Sequence, residues 1–346
     1  MTIKTVGIDL AKRVLQVHAV DERGKVVVSR AMSREQLTLF FSQLTPCLVG
    51  MEACSSSHYW GRKLTEMGHN VKLMPPQFVK PYVKTNKNDK ADAEAICEAV
   101  TRPTMRFVPI KTVEQQAVLS LHRAREGFVK SKRSLNNQMK GLLAEYGVIL
   151  PLGVKTAMNK IPEVLEDAEN GLPPFFRALI AQLLDHLKLV INQIDEIEQK
   201  LLTWHRQNEA SLRLAGIPGV GPITATAMVS SIGDPSYFKN GRQLAAWLGL
   251  VPKQHSSGGK QRLLGISKRG DRRLRTLLVL GARAAMRVAE KKPEYTTSWL
   301  HRIRQRRHEH ISAVALANRN ARTIWALLKN QSTYDPGHRD FTLLAA

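Results

Sequence analysis

Asp9 in "VGIDLAK", Glu52 in "LVGMEAC" and the pair Asp89 and Asp92 in "KNDKADA" are carboxylates in stretches that could converge. Asp9 and Glu52 each close a short apolar run, so each is expected at the end of a central strand. Asp89 and Asp92 stand three apart at the start of a helical pattern, which puts both on one helix face. Four carboxylates at one point repel one another unless a cation sits among them. Mg²⁺, with Mn²⁺ as the alternative, takes oxygen ligands, and shared carboxylates could hold two ions about 3.5–4 Å apart around a phosphate. One ion would activate the attacking oxygen and the other would stabilise the leaving oxygen. Lys84, Lys87 and Lys90 would draw a nucleic-acid backbone towards that centre. The plainer reading makes Asp9 a turn residue, with Asp89 and Asp92 serving the helix start.

A second chemical signal lies in "HSSGGKQRLLGISKRGDRRLR". Ser256 and Ser257 precede two glycines that would let a DNA backbone come close. Lys260, Arg262, Lys268, Arg269, Arg272, Arg273 and Arg275 surround them, a cationic set able to stabilise a pentavalent phosphate and to steer DNA. The competing reading is a flexible loop with a solvated basic face. "GIPGVGPITA" has the glycine pattern of a helix-hairpin-helix turn, in which Gly216, Gly219 and Gly221 allow a tight turn. Backbone amides at the next helix start could then hold a phosphate. Arg302, Arg304, Arg306 and Arg307 are weaker phosphate contacts, and the five tryptophans read as core.

These groups need a scaffold to position them. "KTVGIDLA", "VLQVHAV" and "KVVVSRAM" read as strands, with "DERG" as a turn. "SREQLTLFFSQL" opens with a Ser-x-x-Gln capping pattern. "CLVGMEA" is a buried strand, "SSHYWGRKLTEMG" a helix closed by Gly68, and "HNVKLMP" a strand stopped by Pro75 and Pro76. The segment 84–101 starts another helix. This order predicts an α/β domain with a mixed sheet over 1–105. Residues 106–205 turn helical, and Ile180, Leu184, Leu187, Ile191, Ile194 and Leu201 keep coiled-coil spacing with Glu198 interrupting. Such a seam can pair helices within or between chains. Residues 206–346 form a small-residue-rich, then very basic, mainly α region, and the tail after 332 reads as loose.

The chain has 346 residues, enough for two or three domains, with 52 Lys and Arg against 29 Asp and Glu, a net charge of +23. That excess calls for a polyanionic partner. No long apolar run or signal-peptide pattern appears, so neither a membrane span nor secretion is expected, and a bacterial cytoplasmic location follows. Cys47, Cys54 and Cys97 read as reduced, buried thiols.

The order Asp9, Glu52, Asp89, Asp92 on this run of elements resembles the RuvC branch of the RNase H fold. From "GIDLAK" through "KNDKADA" to the basic third region, the whole chain resembles the DEDD transposases of one bacterial insertion-sequence family, recombinases guided by a bridge RNA. The resemblance implies a RuvC-like metal-binding domain over 1–105, a coiled-coil region over 106–205 and a transposase domain over 206–346. It implies a nucleophilic serine in a Ser-Gly motif, for which Ser257 is the best match and Ser256 the runner-up. It also implies donor and target DNA, a bridge RNA and a dimer or tetramer with composite sites. RNA guidance rests on the resemblance alone, since no KH or RRM pattern is present. Two other functions fit the residues: a metal-dependent junction nuclease that uses no serine, and a non-catalytic basic nucleic-acid-binding protein.

Overall fold

The computed structural model describes residues 2–84, 88–291 and 298–335. The chain divides into two compact units, Met1–Gln115 and Gln116–Ala346.

The first unit is a mixed α/β domain. Its elements are β1 (Thr5–Leu10), β2 (Val14–Val20), β3 (Val26–Ser33), α1 (Arg34–Ser42), β4 (Leu48–Glu52), α2 (Ser57–Glu66), β5 (Asn70–Met74), α3 (Pro76–Val79) and α4 (Asp89–Ala99). The local signals act as expected. The Ser33 hydroxyl accepts from the Gln36 amide at 3.2 Å, while the Gln36 side chain accepts from the Ser33 amide at 2.8 Å. Gly68, at φ +90°, ends the turn after α2 in a backbone region that favours glycine.

The five strands form one sheet in the order β3-β2-β1-β4-β5. β1–β2 and β2–β3 are antiparallel, and β1–β4 and β4–β5 are parallel. Strand residues alternate between faces. Val6, Ile8, Val49 and Met51 face Leu37, Phe41, Trp60 and Leu64 of α1 and α2, forming one core layer. The other face is built for close approach by α4. A Cβ on Gly7 would stand 2.3 Å from the Ala93 carbonyl and 2.4 Å from the Cys97 nitrogen. A Cβ on Gly50 would stand 2.8 Å from Val100 Cβ. Only bare backbone lets the helix sit this near the sheet.

The second unit is mostly helical. It contains α5 (Val113–Ala144, starting at the boundary), α6 (Val154–Glu166), α7 (Pro174–Gln207), α8 (Glu209–Ala215), α9 (Pro222–Ile232), α10 (Gly241–Trp247), β6 (Pro252–Gln254), β7 (Leu263–Ile266), α11 (Arg272–Ala289), α12 (Trp299–Arg306) and α13 (Glu309–Asn330). α5 and α7 form a long hairpin. Met139 and Leu143 pack in the cluster of Phe176 to Leu187, while Val118 packs with Ile197 and Leu201. Glu198, which breaks the apolar seam, takes both Nε and Nη2 of Arg125, at 2.7 and 2.6 Å, and so ties the two helices together. A further core joins α8, α9, α10, α11 and α13 through Leu214, Met228, Leu244, Leu278 and Ala321. Among the described residues, no helix is long and apolar enough to cross a membrane.

Candidate active site

The carboxylates meet because strand and helix advance in step. The Cys97 thiol reaches the Thr5 carbonyl at 3.7 Å, and Gly7 lies against Ala93. α4 therefore runs opposite to β1. Two strand residues advance about 6.6–6.8 Å and four helical residues about 6 Å, so Asp9 comes level with the first turn of α4. Asp9, Asp89 and Asp92 each offer a carboxylate oxygen, all within 4.8 Å of one another. Asp89 is exposed, and Asp9 and Asp92 are half-buried. Asn88 caps the helix through the Ala91 amide at 2.8 Å, which leaves both aspartates of the first turn free of the capping role. Three hard oxygen donors at this spacing suit a divalent cation such as Mg²⁺ or Mn²⁺.

Glu52 is the fourth expected member, and it stands apart from that trio. Ile8 pairs with Met51, so Glu52 follows in register beside Asp9 and on the same face. Its carboxylate is not one of the set within 4.8 Å. It is near enough to act with Asp9 on Cys54, whose thiol is pushed up to about 11 by loss of solvent and then by the charges of Glu52 and Asp9. The extra methylene of glutamate makes its reach rotamer-dependent.

The serines lie on the hairpin of β6 and β7, far along the chain. Gly258 and Gly259 have φ of +55° and +74°, the geometry of a tight hairpin turn, and the Lys260 amide donates to the Ser257 carbonyl at 3.1 Å. The two hydroxyls differ. Ser256 Oγ accepts from Gln254 Nε2 at 3.0 Å and from the Arg262 amide at 3.4 Å. The Ser257 side chain is exposed and makes no hydrogen bond among the described residues. The hairpin base is anchored where Ser267 and Lys268 amides donate to the Val251 and Gly249 carbonyls, at 2.7 and 3.1 Å. Lys260, Arg262, Lys268, Arg269 and Arg272 are exposed around it. Arg275 instead turns inward, donating to the Leu248 carbonyl at 2.9 Å. Arg273 buries Nε and Nη1 without a partner.

Gly219 and Gly221 sit in the turn between α8 and α9. Gly219 has φ +87°, and a Cβ there would lie 2.5 Å from the Gly281 carbonyl of α11. Its glycine therefore serves a tight turn and a close helix crossing. Gly221 caps α9 with open space around it.

Comparison with known proteins adds the family. The model of the "Transposase IS116/IS110/IS902 family" matches residues 211–297, and a DEDD transposase domain of the IS110 type, described as "Transposase", matches residues 6–148. A "Probable family 20 transposase" of Pseudomonas aeruginosa is 49% identical over 97% of this chain and 100% of its own. The transposase for insertion sequence element IS1111A of Coxiella burnetii is 44% identical, over 97% of this chain and 92% of its own. A shorter match, 36% identical over 33% of this chain and 36% of the relative, is the pilin gene-inverting protein of Moraxella bovis. The chain belongs to the IS110/IS116/IS902 transposases.

Several residues of the transposase stand differently from their sequence expectation. The Lys84 ammonium is taken by Glu94 and Glu98 of α4, at 3.4 and 3.2 Å, and these ion pairs raise its pKa. Lys90 is exposed beside Asp89, and Lys87 lies outside the described residues, as does the end of the tail. Cys47 and Cys97 are buried, but Cys54, expected inside, is exposed as a residue while its thiol is partly shielded from water beside the carboxylates. Trp60 is core, whereas Trp247 is 37% exposed. The expectation overlooked the aromatic and cationic group around Tyr59. Its signal was Arg34 at the start of α1 together with "HYW" at the start of α2 and Lys63 four residues beyond Tyr59.

Proposed function

We propose that this transposase cuts and exchanges DNA strands with divalent-cation help from an RNase H-like, RuvC-type domain. The strand order β3-β2-β1-β4-β5, with its antiparallel and parallel halves, supports that fold reading. The observation that carries the proposal is the convergence of Asp9, Asp89 and Asp92, with Glu52 in register alongside. The four would hold Mg²⁺, which when bound supplies charge stabilisation at the attacking and leaving oxygens.

Ser257 is the proposed nucleophile. Its Oγ would give up its proton and attack phosphorus, the bond to the leaving sugar oxygen would break, and that oxygen would take up a proton, so that no net proton is consumed. The phosphodiester energy is thereby kept in a serine–DNA link, which a second sugar hydroxyl reverses during exchange. Ser257 suits the role because its hydroxyl is exposed, whereas that of Ser256 is held within the hairpin. Lys260, Arg262, Lys268, Arg269 and Arg272 would neutralise the phosphate. Gly221, at the start of α9, would offer backbone amides to a second phosphate. Guidance by a bridge RNA and assembly into a dimer or tetramer are what the family resemblance implies. A relative named for inverting a gene supports exchange rather than simple hydrolysis.

The test is adduct trapping under denaturing conditions with donor DNA and Mg²⁺. Wild type and Ser256→Ala should yield a covalent protein–DNA species, while Ser257→Ala and Asp9→Ala should not. Cleavage without any adduct would replace the serine mechanism with a water-using nuclease. An adduct lost in Ser256→Ala but kept in Ser257→Ala would move the nucleophile by one residue.

A further inference from the structure

The end of the sheet where β1 and β4 finish carries the carboxylates on its α4 face and an aromatic and cationic patch on its α1–α2 face. α2 starts five residues beyond Glu52, after a loop in which Ser57 Oγ donates to the Cys54 carbonyl at 2.8 Å. Tyr59 in its first turn is 45% exposed and stands edge-on to buried Trp60, with ring centroids 5.4 Å apart. Arg34, the first residue of α1, and Lys63 lie nearer Trp60 than Tyr59. The Arg34 guanidinium carbon is 5.4 Å from the Trp60 ring and 5.7 Å from the Tyr59 ring. Lys63 Nζ is 5.3 and 6.0 Å away. Both cations are fixed. Lys63 donates to Thr38 Oγ1 at 2.8 Å, and Arg34 donates to the Lys12 carbonyl at 3.4 Å. Lys12 and Arg13 are exposed in the turn that directly follows β1 and Asp9.

The chemistry of this patch is that of single-strand binding. Trp60 cannot serve, being 1% exposed, but it backs Tyr59 and stiffens it. A rigid, half-open aromatic ring with Arg34 and Lys63 against it, and with Lys12 and Arg13 exposed in the turn that Arg34 contacts, offers a base a stacking surface and its flanking phosphates positive charge. A base in a duplex is already stacked and cannot use it. We infer that Tyr59 stacks an unpaired base of the same DNA strand whose phosphate is delivered to Asp9, Asp89 and Asp92. DNA is the occupant because the patch opens at the same end of the sheet as the carboxylates: Arg34 reaches the Lys12 carbonyl, three residues after Asp9, so a single strand crossing that end passes both faces. The patch would thereby hold open the strand that is to be cut. This deepens the proposed function and rests on it.

Binding can be tested apart from cleavage, in the full chain carrying Asp9→Ala and without divalent cation. The probes are a single-stranded DNA oligonucleotide containing 2-aminopurine, the same sequence as duplex, and the same sequence as RNA. Tyr59→Ala should weaken single-stranded DNA binding about tenfold and abolish quenching of the 2-aminopurine, with duplex affinity unchanged. Tyr59→Phe and Tyr59→Trp should bind as the parent does, since stacking needs only the ring. Equal loss for duplex and single strand, no loss, or loss confined to RNA would each overturn the inference. If adduct formation by the otherwise wild-type chain persists under any of those results, only the stacking role falls.

Discussion

At the residue scale, the carboxylates and His122 make the clearest predictions. Asp92→Asn should remove most cleavage while leaving nucleic-acid affinity within about twofold, because the remaining cationic surface is untouched. Isothermal titration with Mn²⁺ should show the weakened site directly. His122 is 3% exposed, and its Nε2–H donates to Thr226 Oγ1 at 3.0 Å, since the threonine proton is spent on the Pro222 carbonyl at 2.9 Å. Burial, then Arg273 and Arg125, lowers its pKa from 6.5 to about 4. The folded state thus refuses a proton that the unfolded chain accepts. The stabilisation is complete above about pH 6.5 and is lost as the pH falls towards 4, on the order of 3 kcal/mol in all. Melting temperatures across that window should fall more steeply for wild type than for His122→Gln. A parallel fall in both would remove His122 as the cause.

At the element scale, much was legible. Alternating apolar runs marked all five strands of the large sheet, and the Ser33 capping box and the paired prolines set their boundaries. Asp9, Asp89 and Asp92 were legible as a cluster because strand-end position and helical spacing are local properties. What the sequence did not show is the partners that Lys84, Arg275 and Gly219 find once the chain folds. Lys84 looks like a DNA contact until Glu94 and Glu98 fold back upon it. Arg275 reads as one more surface cation, yet it caps the Leu248 carbonyl. Gly219 fits a phosphate-binding turn, but its neighbour is Gly281, and a Cβ on Gly281 would stand 1.8 Å from the Gly219 carbonyl. Gly281→Ala should force α11 away from the α8–α9 turn, at a cost of about 1–3 kcal/mol. Calorimetry should record a fall in melting temperature of about 2–10 °C. An unchanged melting temperature would mean that the crossing is slack.

At the scale of the whole molecule, the net charge of +23 dominates association. A surface that neutralises about 6–10 phosphates loses about 10³–10⁵ in affinity between 50 and 200 mM salt. Titrations of non-specific duplex should show that steep dependence. The stacking contribution at Tyr59 should survive in high salt, because it releases no counterions. A shallow salt response of duplex binding would instead mean that few cations face the DNA.

The nearness of α4 to the sheet has an outcome for genetics. Two positions without side chains, Gly7 and Gly50, set the gap that lets the acids converge. A saturation screen for lost transposition should therefore return alanine at Gly7 as a null allele beside those at Asp9 and Asp92. Such an allele would be inert because one methyl group had widened a seam, though the mutated residue meets neither nucleic acid nor metal.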